Sequence, residues 1–410
     1  MRALFTVLLF VTVAWADSSL DAEVERYLAE TETPTIPLRV YWTHAPRAES
    51  ADEAIKFHLR GRVLFDTYGA GSNDYAANLT ESATYFRQVR FGFDGSFAHN
   101  GLFGLEIEFS NGTPRLRDVY VGVRNLPVLG AFQAGNIRHA FGLDAMTPIP
   151  FHTFMERAPS TRAFQTGRDL GLRFHNSHFD DRLTWVAGVY ALSDSTAVAS
   201  NTGHAGTVRI AGIPARSFDD ERAVQVGFGF DYEVPTDGTV KYRSRPGPNQ
   251  GPHFIDTGDV DADAEMRFAL SVAINLNSLV LQMEGYHVRI LNDAGDPALN
   301  GAYVHVVWWI TGERPAYVRW WGIWGRTVPT RNLGDGGGTG AWMVGLRYDW
   351  TDLNDGVVQG GEMQTLTAGL TWMWNPNSRV VLNGVYADVA SGPFGPGDVY
   401  YVSLRFQVDY

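Results

Sequence analysis

The last nine residues constrain the fold most. Val402, Leu404, Phe406, Val408 and Tyr410 alternate with Ser403, Arg405, Gln407 and Asp409. A two-residue period sends the two sets to opposite faces of a β-strand, one apolar and one polar. Such a strand lines either a soluble sheet with one face on a core, or a membrane barrel with lipid outside and water inside.

The same alternation recurs along most of the chain. KFHLRGRVLFD sets Phe57, Leu59, Val63 and Phe65 against Lys56, His58, Arg60 and Arg62, and LEIEF sets Leu105, Ile107 and Phe109 against Glu106 and Glu108. VQVGFGFDY, RFALSVAIN, WMVGLRYDW and TLTAGLTWMW repeat the pattern. There are about 16 such segments, separated in turn by short clusters such as NPNS and by longer polar loops. Helical periodicity is nearly absent, which argues against an α/β enzyme, and no fixed repeat marks a solenoid or propeller. The predicted fold is all-β: a transmembrane, antiparallel, up-and-down β-barrel of about 16 strands over residues 55–410, closed so that no long edge is exposed. Residues 17–54, acidic and broken by Pro34, Pro37 and Pro46, are expected to form a poorly ordered N-terminal extension.

The chain opens MRALFTVLLFVTVAWADSS. One cation at Arg2, an apolar run from Leu4 to Ala14 and the small-x-small Ala14-Trp15-Ala16 read as a signal peptide over residues 1–16, cut before Asp17. The run is too short for a spanning helix, which needs about 20 apolar residues. The formal charge of −12, or −13 once Arg2 leaves with the signal, disfavours nucleic acid as a partner. Cysteine is absent, so an exported chain of this kind relies on sheet hydrogen bonds and packing rather than disulfides.

In outer-membrane barrels the last strand closes the sheet, and the ending on Phe406 and Tyr410 resembles the signal read by the barrel-assembly machinery. Three stretches extend the resemblance: GNIRHAFGLDAMTPIPFHTFMER at 135–157, WWITGERPAY at 308–317, and GLTWMWNPNSRVVLNGVYAD at 369–388 with the terminal LRFQVDY. Together they resemble the phosphate-selective porin O/P family of diderm bacteria, from about Lys56 to Tyr410. The resemblance implies a 16-stranded, usually homotrimeric outer-membrane barrel in contact with lipid, passing small anions, phosphate above all, without cofactor or catalysis. It also implies inward-folded loops lined by basic residues, with lysines near the constriction. Here the basic residues are almost all Arg, and Lys56 and Lys241 are the only lysines.

With apolar faces outward, the lumen receives Lys56, His58, Arg60, Arg62, Arg90, Arg124, Arg173 and Arg347, together with Glu106, Glu108, Asp118, Asp231 and Asp349. Arg157, Arg162 and Arg168 follow the Phe-Gly-Leu run, on the expected inward loop. Rings of Arg or Lys favour anions in a pore. The alternative use of Arg is fork-to-carboxylate pairing in the wall, and a weakly selective general porin would show lumenal Arg neutralised in that way. Lys56, Arg60 and Arg62, three cations in one strand with no acid among them, are read as attracting anions. A plugged barrel with an adhesive or enzymatic role is a further alternative, although no Gly-x-Ser-x-Gly elbow occurs.

Other signals read as structural. Asp259, Asp261, Asp263 and Glu265 alternate in DVDADAE with ligand types suited to Ca²⁺, but without an EF-hand's glycine and spacing, and are taken as a solvated acidic loop. GDGGGTG at 334–340 lacks the helix and Lys of a phosphate cradle. No paired His spacing marks a metal site. Trp308, Trp309, Trp320, Trp321 and Trp324 are assigned to an interfacial girdle in preference to a sugar-stacking track.

Overall fold

The computed structural model describes residues 37–75, 79–192, 203–217, 222–293 and 295–410; the expected signal peptide lies outside them. Two short strands come first, β1 (Leu38–Trp42) and β2 (Pro46–Ser50). Sixteen long ones follow: β3 (Lys56–Gly71), β4 (Ala83–Phe97), β5 (Gly101–Glu108), β6 (Arg115–Leu126), β7 (Gly130–Arg138), β8 (Arg168–His178), β9 (Leu183–Ala191), β10 (His204–Arg216), β11 (Arg222–Val234), β12 (Ala264–Leu276), β13 (Leu279–Leu291), β14 (Ala298–Trp309), β15 (Ala341–Asp355), β16 (Val358–Asn375), β17 (Ser378–Ser391) and β18 (Gly397–Asp409). Each pairs antiparallel with the next, and β18 returns to β3 to close the barrel.

The alternation read from the sequence sets the two faces. In β18, Tyr400, Val402, Phe406 and Val408 are exposed, outward, while Ser403, Arg405, Gln407 and Asp409 are buried, inward. At the seam, register runs from Tyr400↔Gly71 to Asp409↔Arg62. Tyr410 extends it by two backbone bonds to Gly61, 2.9 Å in each direction. Its ring lies over Gly61, where any side chain would overlap it, so glycine on β3 makes room for the terminal aromatic.

The expectation of a poorly ordered extension fails for residues 38–50. They form a hairpin, and β2 pairs with β3 from Arg47↔His58 to Glu49↔Lys56, the part of the β3 edge that β18 is too short to reach. An unpaired edge is costly or adhesive, and the hairpin covers this one. Trp42 brings its ring within 6.5 Å of Tyr410, and Asn377 Nδ2 donates to both the His44 and Asp409 carbonyls.

One rim carries short turns, such as those after β4, β6, β8, β12 and β16, which in outer-membrane barrels is the periplasmic side. The opposite rim carries the long connections 139–167 and 235–263. The alternation does not foretell one exception: residues 310–340, between β14 and β15, form a long insert on the short-turn rim. No helix among the described residues is long and apolar enough to cross a membrane, which leaves the strands as the spanning elements.

Candidate functional site

The connection 139–167 folds into the lumen and contains two short helices, α1 (Leu143–Met146) and α2 (Pro159–Phe164). Wall carboxylates meet the start of each. Glu284 accepts from the Leu143 and Asp144 amides at 2.6 and 3.0 Å, and Asp349 accepts from the Ser160 amide at 3.0 Å and its hydroxyl at 2.5 Å. These helix-start amides have no intrahelical acceptor, so buried carboxylates satisfy donors that burial would otherwise leave orphaned.

Aromatic knobs fix the rest of the loop. Phe154 sits where Gly345 and Gly369 face each other in register; a β-carbon on either would come within 3.2 and 3.0 Å of its ring. The Arg347 guanidinium lies 4.6 Å from the centre of that ring. Phe141 and Phe164 occupy the equivalent spaces over Gly229 and Gly301. The glycines that interrupt the lumenal faces of β11, β14, β15 and β16 are therefore sockets for the loop. Arg379 donates to the His152 carbonyl at 2.9 Å, and Arg405 binds Asp66 through two bonds of 2.7 Å, Glu156 at 2.9 Å and the Met155 carbonyl. Glu156 also accepts from Arg87 at 2.6 and 3.0 Å. Burial would push the Glu156 carboxyl up, but Arg87 and Arg405 outweigh it and hold the group well below the usual carboxylate range.

The loop thus covers the half of the lumen formed by β11–β18. Lumenal arginines there are sealed: Arg405 is 0% exposed, Arg347 and Arg379 5%. The less covered wall runs through β3–β6, where the side chains of Arg60, Asp94 and Asp118 remain 32%, 31% and 27% exposed.

Its charges are mostly paired. Arg60 meets Asp94 at 2.7 Å, Arg62 and Arg90 share Glu106 at 2.5 and 2.7 Å, Arg90 also meets Glu108 at 2.6 Å, and Arg168 binds Asp118 with two bonds of 2.9 and 3.2 Å. Two pairs of arginines stand directly opposite each other across strands, Arg62↔Arg90 and Arg138↔Arg168. Like charges in that position repel unless a counter-charge intervenes. Glu106 bridges the first pair. In the second, Asp118 is taken by Arg168, and among the described residues Arg138 bonds through its side chain to the Ala145 carbonyl at 3.1 Å and to no carboxylate. Arg117, within the electrostatic reach of Arg90, Arg168, Glu108 and Glu106, also has no carboxylate bonded to it among the described residues, and its Nε is buried without a partner.

The predicted site residues divide accordingly. Arg60, Arg62, Arg90 and Arg168 line the open wall; Arg168 is the first residue of β8 rather than part of the loop. Lys56, Arg60 and Arg62, read as attracting anions, are each paired with an acid from elsewhere in the fold: Lys56 with Glu53 at 2.7 Å on the short-turn rim, and the other two with acids from β4 and β5. Arg124 bonds to the His99 carbonyl at 2.9 and 3.0 Å, near the same rim. Arg157 is also corrected. It is buried inside the loop and donates to the Asp144, Ala145 and Thr147 carbonyls, which shapes the loop instead of lining the path. Burial, with Arg87 and Arg168 nearby, lowers its pKa to about 10, so it stays cationic at neutral pH. Arg162 ties the loop to residues 245–247 through the Gly247 carbonyl, and Arg173 is covered.

Sequence reasoning missed Arg87, Arg117 and Arg138. Irregular register at Leu64/Phe65 admits Arg87, and another at Leu105/Ile107 precedes Arg117, so strict alternation would send both outward. Arg138 was within a quoted stretch but not placed in the lumen.

Of the tryptophans assigned to the girdle, Trp308 is exposed on the outer face; the assignment fails for Trp309, buried inward beside Trp324, and for Trp320, Trp321 and Trp324, which lie on the insert 310–340 inside the barrel. The acidic run does not converge: Asp259 meets Lys241 at 2.9 Å, and Glu265 turns inward to Arg267 and Tyr242. Among the described residues no group of three or more His, Cys, Asp or Glu is arranged for a metal.

A closed 16-stranded barrel with a lipid-compatible exterior and a lumen partly filled by an inward loop defines an outer-membrane porin. Residues 57–410 match the family described as phosphate-selective porin O and P, and the chain belongs to that family. An uncharacterised protein of Caulobacter vibrioides is 28% identical over 401 residues, which cover 91% of this chain and 78% of that protein. Solved structures share the fold: the anion-selective porin from Comamonas acidovorans (11% identity, TM-score 0.54, 87% of this chain and 100% of that one), OmpT of Vibrio cholerae in its trimer form (12%, 0.54, 86% and 99%), and the outer-membrane channel DcaP of Acinetobacter baumannii (12%, 0.51, 88% and 99%).

Proposed function

We propose that this porin passes small anions by diffusion along the β3–β8 wall, and that Arg117 and Arg138, with Arg90 and Arg168 beside them, attract those anions. The single observation carrying the reading is that, among the described residues, these two guanidiniums on the β6–β7 wall have no hydrogen-bonded carboxylate, next to arginines already neutralised. An anion entering there supplies the counter-charge that the wall does not. Phosphate, whose oxygens accept hydrogen bonds from guanidinium donors, is the substrate the family description favours. Lysine has no part in this arrangement. Export by residues 1–16, recognition of Phe406 and Tyr410 by the assembly machinery, and a homotrimer complete the proposal.

A weakly selective general porin is the second reading, favoured by the pairs Arg60–Asp94, Arg62–Glu106 and Arg168–Asp118, which cancel most of the wall's charge. Zero-current potential in a planar bilayer across a KCl gradient separates the two. A charge about 4 Å away is worth about 1 kcal/mol in water, roughly fivefold in local ion concentration. Replacing both Arg117 and Arg138 by Ala should therefore move an anion-selective potential most of the way to zero and abolish block by added phosphate. A wild-type potential already near zero would leave the general porin.

A further inference from the structure

We infer that the lumenal tyrosines Tyr68, Tyr85 and Tyr401 line a binding site for neutral polyhydroxylated solutes, sugars foremost, at the long-loop end of the barrel. The inference goes beyond the anion path proposed above and does not depend on it.

The site is a cavity of about 420 Å³ between the wall and the connection 235–263. Ordinary small-molecule sites span about 300 to 1,000 Å³. The three tyrosines come from β3, β4 and β18, the strands around the closing seam, and their rings pack edge to face. Tyr68 is centred 6.3 Å from Tyr85 and 6.0 Å from Tyr401, at 83° and 62°. The connection is tied over them. The Asn249 amide donates to the Tyr85 hydroxyl at 3.2 Å, Arg162 donates to the Gly247 carbonyl at 2.6 Å, and Arg245 donates to the Gly251 carbonyl at 2.7 Å. A β-carbon on Gly247 would come within 2.9 Å of the Tyr401 ring, so glycine lets the connection lie directly on it.

Two free hydroxyls define the chemistry. Tyr68 and Tyr401 are only 6% and 5% exposed, yet among the described residues neither hydroxyl has a hydrogen-bond partner. Neither is sealed from solvent, so both open on the cavity that their residues line. Glu81, Ser82 and Gln250 add further donors and acceptors to the same lining.

This lining selects by elimination. Among the described residues no Arg, Lys or His lines the cavity, and the Glu81 carboxylate opposes an anion. A wholly apolar solute would displace water from the Tyr68 and Tyr401 hydroxyls and leave them unbonded, which is costly. A sugar meets both demands. Its hydroxyls bond to Tyr68, Tyr401, Glu81 and Gln250, and its C–H faces lie against the aromatic carbons.

The test uses the purified full-length protein in a planar bilayer. Glucose, maltose and sucrose are compared with polyethylene glycol of similar mass by the concentration that halves the KCl current. At least one sugar should act at about tenfold lower concentration than the polymer, as a few net hydrogen bonds would give. Tyr68→Phe combined with Tyr401→Phe keeps the rings and removes only the hydroxyls. It should bring that sugar to within about twofold of the polymer, with the KCl zero-current potential unchanged because no charge is lost. Glu81→Ala, at an exposed position, should weaken the same block without disturbing the packed rings, and it decides the matter if the double variant does not fold. No sugar exceeding the polymer in the wild type, an unchanged sugar block in the folded variants, or stronger block by choline than by every sugar overturns the site. Failure of the anion path is read separately, as a KCl potential near zero, because the sugar-to-polymer ratio does not depend on it.

Discussion

Glu156→Gln tests whether the inward loop is held by charge as well as by packing. Glu156 is the loop's only carboxylate bonded to two wall guanidiniums, with three bonds of 2.6 to 3.0 Å from Arg87 and Arg405. Glutamine keeps the shape but presents one acceptor and one donor to two cations. Arg405, fully buried, retains Asp66, whereas Arg87 loses its carboxylate. Breaking a buried pair costs about 3 to 5 kcal/mol, and we take the lower end because the Arg87 side chain retains some access to water. About 3 kcal/mol raises the equilibrium for local release of the loop roughly a hundredfold. Single-channel recording should show excess open-channel noise and larger conductance substates. The lost negative charge should independently increase anion preference. A variant with that electrostatic change and wild-type noise would refute the anchoring role. The pH dependence supplies a second check. Because the folded pKa of Glu156 lies below its ordinary value of about 4.3, the stabilisation is present above that value and disappears only as pH falls through the lowered one. The wild-type loop should thus be as quiet at pH 5 as at pH 7.

Two further perturbations address packing and closure. Phe154→Ala empties the socket over Gly345 and Gly369 and removes the surface beneath Arg347; a cost of about 3 kcal/mol or more should appear as noisy conductance in a barrel that still folds, as judged by heat-modifiable mobility. Deleting Tyr410 removes two backbone bonds to Gly61 and the ring that covers it, so barrel yield in the outer membrane should fall, and normal yield would remove Tyr410 from closure and assembly.

The barrel was legible because each strand faces two solvents and so carries its register in its own pattern. Val402 to Tyr410 gave the correct inward set, including Arg405 and Asp409, without reference to any neighbour. The path was only partly legible, for three physical reasons. Pairing is lateral: nothing on β3 reveals that Asp94 and Glu106 stand beside Arg60 and Arg62. Register irregularities break the parity rule at Arg87 and Arg117, the residues whose inward placement the alternation denies. The insert 310–340 violates the usual division between long loops and short turns, so its tryptophans were read as an outer girdle.

The loop sockets give the proposed basic path a physical basis in an acidic protein. A charge sealed under packed side chains no longer acts on a passing ion at the strength of an exposed one, and it is neutralised or satisfied locally if it is to be buried at all. The wall glycines let Phe141, Phe154 and Phe164 lie flat on β11–β18, and this removes Arg347, Arg379 and Arg405, together with Asp349 and Glu284, from contact with the solute. On the path proposed above, the solute would meet the charge of β3–β8, where Arg117 and Arg138 exceed the nearby acids. The formal charge of −12 therefore predicts nothing about ion preference. Shifting the loop off its sockets would change that preference by exposing a different half of the wall, even with every charged residue retained.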